Sequence, residues 1–288
     1  MMKWKTVYFK AAIITSSILF IISILYLLIN KIYFPGPPYY IPLNQETNTI
    51  LSVIILICIL PIAFTQYIND IWLDSVDHNV PRFLQDVTED VKSGQSLLKS
   101  LKENAKEDYG SLNNPLRKSI IRFKFTSDLK NSLSQLGDEL KRPSAKQMSS
   151  ILIESYSAGG KVGDILHNSV SLFKSIDIHK QNRRIKTKPY LVVVYVSLAI
   201  FLVISWVILN RFLIPMNNQT QIISTNTTYI VNLLEINYYK SILFWSAIIE
   251  SSIGGLVAGK ISNGKISSGL IHSVFLIFVS IIFFGYIM

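Results

Sequence analysis

The chain has 288 residues, half of them hydrophobic, with 28 Lys and Arg against 18 Asp and Glu and a formal net charge of +10. Such an excess invites a nucleic-acid reading, but cations and carboxylates intersperse through one polar block, Asp70 to Lys188, while the apolar residues gather into long uncharged runs. That distribution excludes a soluble globular chain and argues against a nucleic-acid surface; no nucleic-acid partner is expected.

A bilayer core about 30 Å thick takes roughly 20 apolar helical residues to cross. In chain order, Ala11 to Asn30, Thr47 to Ile68, Pro189 to Asn210, Ser241 to Gly259 and Ile266 to Met288 meet that requirement, the fourth interrupted by Glu250. The first run follows Lys3, Lys5 and Lys10 as a secretory signal would, but it is long, lacks a small-residue cleavage pattern and continues into Tyr33-Phe34-Pro35. It reads as a retained helix. With the N-terminus inside, every Lys and Arg except Lys31, Arg211 and Lys240 falls on the cytoplasmic side, and those three sit at span ends where they can snorkel. The expected topology is N-terminus in, C-terminus out, in the cytoplasmic membrane. Two Asn-x-Thr acceptors, at Asn218 and Asn226, fall in the stretch 212–239 that this topology places outside, and are candidate glycosylation sites.

The polar block carries helix periodicity and repeated stop signals. Val80, Phe83, Leu84, Val87 and Val91 form one stripe ended by Ser93-Gly94, and Leu97, Leu98 and Leu101 open the next helix. Asn114-Pro115 reads as a cap and first helical position, Ser127 as the cap of a helix through Leu140, and Ser144 as the start of another after Lys141-Arg142-Pro143. Gly159-Gly160 breaks the chain before a last stripe from Ile165 to Phe173. About six short helices with their own core follow. The expected fold is all-α: an integral membrane protein with five transmembrane helices and one cytoplasmic helical bundle. Its divisions are 1–69 (N-terminal arm and two spans), 70–188 (bundle) and 189–288 (three spans and the outer loop).

Chemistry is sparse. Cys58 lies inside a span, and His78, His167, His179 and His272 lack neighbours at metal-ligand spacing. No cofactor and no catalytic residues are expected. The run Gly254 to Lys260 nearly spells a phosphate loop, but Ile261 stands where Ser or Thr is required and no strand precedes it. Gly255 and Gly259 fit close helix packing in lipid instead. Glu250 needs a polar partner in the bilayer, and His272 is the expected one, as a buried hydrogen bond or a proton relay. Gly94 and the pair Gly159-Gly160 are either helix ends or turns that a partner approaches. The run Lys180, Arg183, Arg184, Lys186 and Lys188 reads as contact with anionic lipid.

Pro81-Arg82-Phe83-Leu84, Lys92-Ser93-Gly94-Gln95-Ser96-Leu97, Tyr109-Gly110-Ser111-Leu112, Glu154 to Gly160 and Ile165-Leu166 follow in an order that resembles the type II secretion system F family. Glu250 to Lys260 and Gly269 to His272 resemble the last two helices of its archaeal branch, the platform proteins of archaella and type IV pili. The resemblance implies a non-enzymatic platform that engages a hexameric secretion ATPase and transmits its movement to pilin- or archaellin-like subunits. Many relatives carry two copies of the helical domain. This chain has one, which implies a second from self-association or a paralogous platform protein. Lys92, Ser93, Gly94, Lys141 and Arg142 are the candidate ATPase contacts. A small transporter and a membrane signalling scaffold are the alternatives; a transporter would want more intramembrane polar groups than Glu250.

Overall fold

The computed structural model describes residues 2–29, 41–159, 162–216 and 236–286, and every regular element among them is helical. Gly160, Asn218 and Asn226 lie outside the described residues. The helices are α1 (Met2–Ile29), α2 (Gln45–Lys92), α3 (Leu97–Asn104), α4 (Asn113–Thr126), α5 (Leu129–Leu140), α6 (Pro143–Ala158), α7 (Val162–Val207), α8 (Ile236–Asn263) and α9 (Leu270–Tyr286). Five are long and apolar enough to cross a membrane: α1, α2, α7, α8 and α9. The protein is a multi-pass membrane protein.

Contacts divide the chain into two units, one built on Ile68–Ile185 and the other on Val7–Tyr67 with Lys186–Met288. The composition changes near these limits but the backbone does not. α2 is one helix of 48 residues running through Pro61 and Pro81, and α7 one of 46 residues with Pro189 inside it.

In the polar unit, Val76, Val80, Phe83, Leu84 and Val87 of α2 pack with Leu101, Leu116, Leu133, Leu136, Leu140, Met148, Leu152 and Leu166 into one core. Turn chemistry sets the helix ends, in places one or two residues from the positions expected. Ser127 is a left-handed C-cap of α4 (φ 53°), and Asp128 caps α5 by accepting from Asn131 N at 3.0 Å. A two-residue reversal leaves Ser127 no room to cap as well. α4 begins at Asn113, so Pro115 is its third residue, where the missing N–H is still one that has no partner in the helix. Pro143, with φ preset, opens α6, and Ser144 lies inside it.

In the membrane unit, Leu198 and Leu202 of α7, Phe244, Ala247 and Ile248 of α8, and Leu276, Ile277 and Phe284 of α9 share a core. α2 joins them through polar contacts near both ends of its span. Asn48 donates to Ser241 Oγ at 2.8 Å and accepts from Trp245 Nε1 at 2.9 Å; Gln66 donates to Ser267 Oγ at 3.1 Å. Asn48 and Gln66 are about 27 Å apart along the helix, close to the hydrocarbon thickness, so both sit where polar groups are cheap to place. α1 packs loosely. Ile13, Ser16 and Phe20 face Cys58, Ile62 and Leu270 across an apolar groove of about 460 Å³.

Candidate functional site

Helix α2 ends because Gly94 takes φ 94°, a conformation only glycine adopts cheaply. Gly94 N and Gln95 N return to the carbonyls of Val91 and Asp90, and Ser93 Oγ donates to Asp90 O at 2.7 Å. Ser96 then caps α3. Lys92, Ser93 and Gly94 are all exposed. Lys92 Nζ lies 3.0 Å from Nδ1 of His167 on α7, and Gly163 is against the Lys92 stem. Gly159, exposed with φ 59°, ends α6 four residues before Gly163. The turns after α2 and after α6 thus share one end of the bundle.

Lys141 and Arg142 are at the other end. Arg142 Nε donates to Asp77 Oδ1 at 3.1 Å, its second nitrogen pairs with Oδ2, and Ser144 Oγ also donates to this carboxylate; Lys180 Nζ completes the cluster at 3.5 Å. Burial alone would raise the Asp77 carboxyl, but the hydrogen bonds from Arg142 and Ser144, with the charges of Arg142 and Lys180, outweigh it and hold the group below the usual carboxylate range. Asp77 and Lys92 are fifteen residues apart on α2, about 22 Å of helix. The five cations and turn residues expected as one contact set therefore separate into two. Arg142 anchors α6 to α2, while Lys141, exposed and left-handed with φ 50°, turns outward beside it. Arg184 is likewise engaged, with Asp74 Oδ2 at 2.6 Å, so part of the basic run toward the third span ties α7 to α2.

Between these ends lies a polar network that sequence reasoning missed. Tyr109 is buried, its hydroxyl 2.7 Å from Asp86 Oδ2 and 2.8 Å from Asn104 Oδ1. Asn104 Nδ2 and Ser100 Oγ both donate to Asp90 Oδ2, at 2.6 and 2.8 Å. Burial, then the hydrogen bond to Asp86, push the Tyr109 hydroxyl well above its ordinary pKa. Arg82 lies over the ring, 5.4 Å from its centre. The signal was present: Asp86 and Asp90 are four apart on α2, beside the apolar stripe. Gly110 follows because its φ is 56° and a Cβ there would meet Ser75 Oγ at 3.0 Å. The motif Tyr109-Gly110-Ser111 is thus the seat of this connection on α2.

In the membrane unit the expected pair is not formed. Glu250 Oε1 accepts from Ser197 Oγ of α7 at 3.1 Å, and His272 Nδ1 lies 2.6 Å from the hydroxyl of Tyr195. The reason is register. α8 and α9 run antiparallel with Ser251 opposite Ser280 and Gly255 opposite Ser273, so His272 faces the turn of Gly255 and Leu256, about 9 Å along the helix from Glu250. Gly255 and Gly259 are buried where α8 touches α9; a Cβ on either would sit on the backbone of Ser273 or Gly269.

A helical bundle carried in the chain between membrane spans, with exposed glycine turns at one end, defines a multi-pass membrane protein with a helical domain outside its spans. Residues 83–209 match the family model for the type II secretion system, protein F. That segment holds the bundle from within α2 onward and the span of α7, and through it the chain is similar to the type II secretion system F family. Over 262 residues the chain is 27% identical to an uncharacterized protein of Methanocaldococcus jannaschii, an alignment covering 89% of this chain and 40% of that protein. The chain thus spans about two fifths of the relative's length. No solved structure matches it.

Proposed function

We propose that this protein is the membrane platform of a type IV pilus-like or archaellum machine, without enzymatic activity of its own, and that it couples a hexameric secretion ATPase in the cytoplasm to the assembly of pilin-like subunits. The observation that carries the reading is the family match over a bundle whose exposed turns gather at one end. In this reading 68–185 is cytoplasmic, the N-terminus is inside and the C-terminus outside. The ATPase meets the end formed by Lys92, Ser93, Gly94 and Gly159. Arg142, committed to Asp77, leaves the contact set; Lys141 remains a peripheral cation. A second copy of the helical domain, from self-association or a paralogue, completes the platform, and Arg183, Lys186 and Lys188 meet anionic lipid.

The test is purification of the tagged protein from native membranes with mass spectrometry of what it retains. Recovery of a secretion ATPase with pilin-like subunits is expected, and Lys92→Glu should abolish recovery of the ATPase while the protein stays folded. Reproducible absence of both partners under crosslinking would overturn the reading.

A further inference from the structure

Helix α4 offers a second surface that the turn end does not explain. Its fourteen residues include Arg117, Lys118, Arg122 and Lys124 and no carboxylate. Two of these cations serve the fold: Arg117 donates to the carbonyls of Ala105 and Lys106, closing the end of α3, and Arg122 pairs with Glu139 of α5 at 3.6 Å. Lys118 and Lys124 project outward. Between them lie two large apolar side chains one helical turn apart, Ile121 and Phe125, 52% and 87% exposed. At 100° per residue Ile121 and Phe125 are centred on one stripe, with Lys118 on one flank and Lys124 on the other. The carboxylate next in sequence, Asp128, is turned to cap α5.

An apolar pair left in water and framed by cations is complementary to a surface of the opposite design, apolar in the middle and acidic at the rim. The position of the stripe favours a protein over a lipid surface. α4 starts beside Ser75 of α2, where Ser111 N meets Ser75 Oγ, and its later turns reach Lys102 of α3, whose ammonium lies 5.8 Å from the Phe123 ring. Arg184 pairs with Asp74 as Ser111 meets Ser75, so residues 68 and 185, where the chain enters and leaves the bundle, belong to the end where α4 starts. Phe125 therefore lies toward the opposite end of the bundle.

We propose that the Ile121–Phe125 face of α4 docks an acidic amphipathic segment of a protein partner, with Phe125 as the anchor and Lys118 and Lys124 as the electrostatic rim. This surface is separate from the Lys92–Gly94 turn, and the docking does not depend on that turn contacting an ATPase.

The test places the photocrosslinker p-benzoylphenylalanine at position 121 of the full-length chain in its native membranes and maps the crosslinked peptides by mass spectrometry. The expected adduct joins one partner polypeptide within a segment where Asp or Glu flank apolar residues at helical spacing. Its yield should fall about tenfold in Phe125→Ala and in Lys118→Glu/Lys124→Glu, and stay at full level in Lys141→Glu at the opposite end. The milder Lys118→Ala/Lys124→Ala variant repeats the measurement without introduced repulsion, and unchanged helicity and melting show that each variant is folded. Adducts confined to lipid, to a second copy of this chain or to a partner segment without carboxylates would overturn the proposal. So would no adduct above background, or a yield that ignores charge reversal.

Discussion

The two halves of this molecule hold their helices together by opposite means. In the polar unit the contact is made by large aliphatic side chains, Leu133, Leu136, Leu140 and Leu152 against Val80, Phe83 and Leu84. In the membrane unit the closest approach, α8 on α9, is made by residues with little or no side chain: Ser251, Gly255 and Gly259 against Gly269, Ser273 and Ser280. In water, removing apolar surface is itself the driving force, at roughly 25 cal/mol per Å², so big side chains are favoured. In lipid the outside is as apolar as the inside, and what remains is dispersion between closely apposed backbones and hydrogen bonds such as Ser251 to Ser280 at 2.8 Å.

That contrast is broken most severely by adding a side chain where the membrane helices touch. Gly259→Val would drive three heavy atoms into the backbone of Gly269, and Gly269 in turn has Leu256 Cα only 2.6 Å from where its own Cβ would be. Neither helix can yield without losing the contact, so the expected cost is about 3 kcal/mol or more, read as loss of the folded species in detergent melting. Gly285→Val on α9 is the control: its Cβ meets nothing within 4 Å. Equal damage from both would mean that intrinsic helix propensity, not packing, governs this hairpin.

The polar unit should fail differently, through a charge that loses its main partner. Arg142→Ala leaves the Asp77 carboxylate, 14% exposed, with only Ser144 and the more distant Lys180, and should cost about 2 kcal/mol, visible as a lower unfolding midpoint. The pH dependence carries the signature. Because Asp77 is depressed in the folded state, its contribution is present above the unfolded value, near 3.8, and is lost as pH falls below it through the folded value. Wild type should therefore lose stability more steeply than Arg142→Ala on acidification below about pH 4. Parallel acid limbs would show that Arg142 does not set the Asp77 proton affinity.

How much of this could be read in advance follows the same divide. The spans and the all-helical bundle were legible because hydrophobic runs and 3.6-residue stripes are local signals. The continuity of α2 through residues 68 to 70 and of α7 through Lys188-Pro189 was not, since composition changes there without any stop signal and a proline inside a long helix is tolerated at the cost of one hydrogen bond. Side-chain partners were the least legible. Glu250 was paired with His272 by neighbourhood in sequence, but antiparallel register decides which turn faces which and gives it Ser197. Arg142 looked like a projecting cation because Asp77, its partner, is 65 residues away. Gly255 and Gly259, by contrast, carried their own spacing.

A smaller effect is expected at the buried hydroxyl. Tyr109→Phe keeps the ring against Phe83 but removes the donor to Asp86, at about 1.5 kcal/mol. The raised Tyr109 pKa adds a signed test. Its contribution is fully present below the unfolded value of about 10 and is lost as pH rises above it, so wild type should weaken in alkali and Tyr109→Phe should do so less. A shared alkaline limb would place the titrating group elsewhere.

The smallest stability effect belongs to Gly94, and its smallness is what makes it useful. A Cβ there meets nothing within 4 Å, so Gly94→Ala has no clash to relieve and costs only the left-handed backbone, about 1 kcal/mol. Gly110 shares the positive φ but has Ser75 Oγ at 3.0 Å, so Gly110→Ala should lower the melting midpoint further, and equal losses would mean that contact has room to relax. Since Gly94→Ala changes the backbone energy of the turn and no packing contact, a drop in ATPase recovery out of proportion to its melting shift would reflect the surface of the turn rather than the stability of the bundle. Unchanged recovery would move the contact away from this turn.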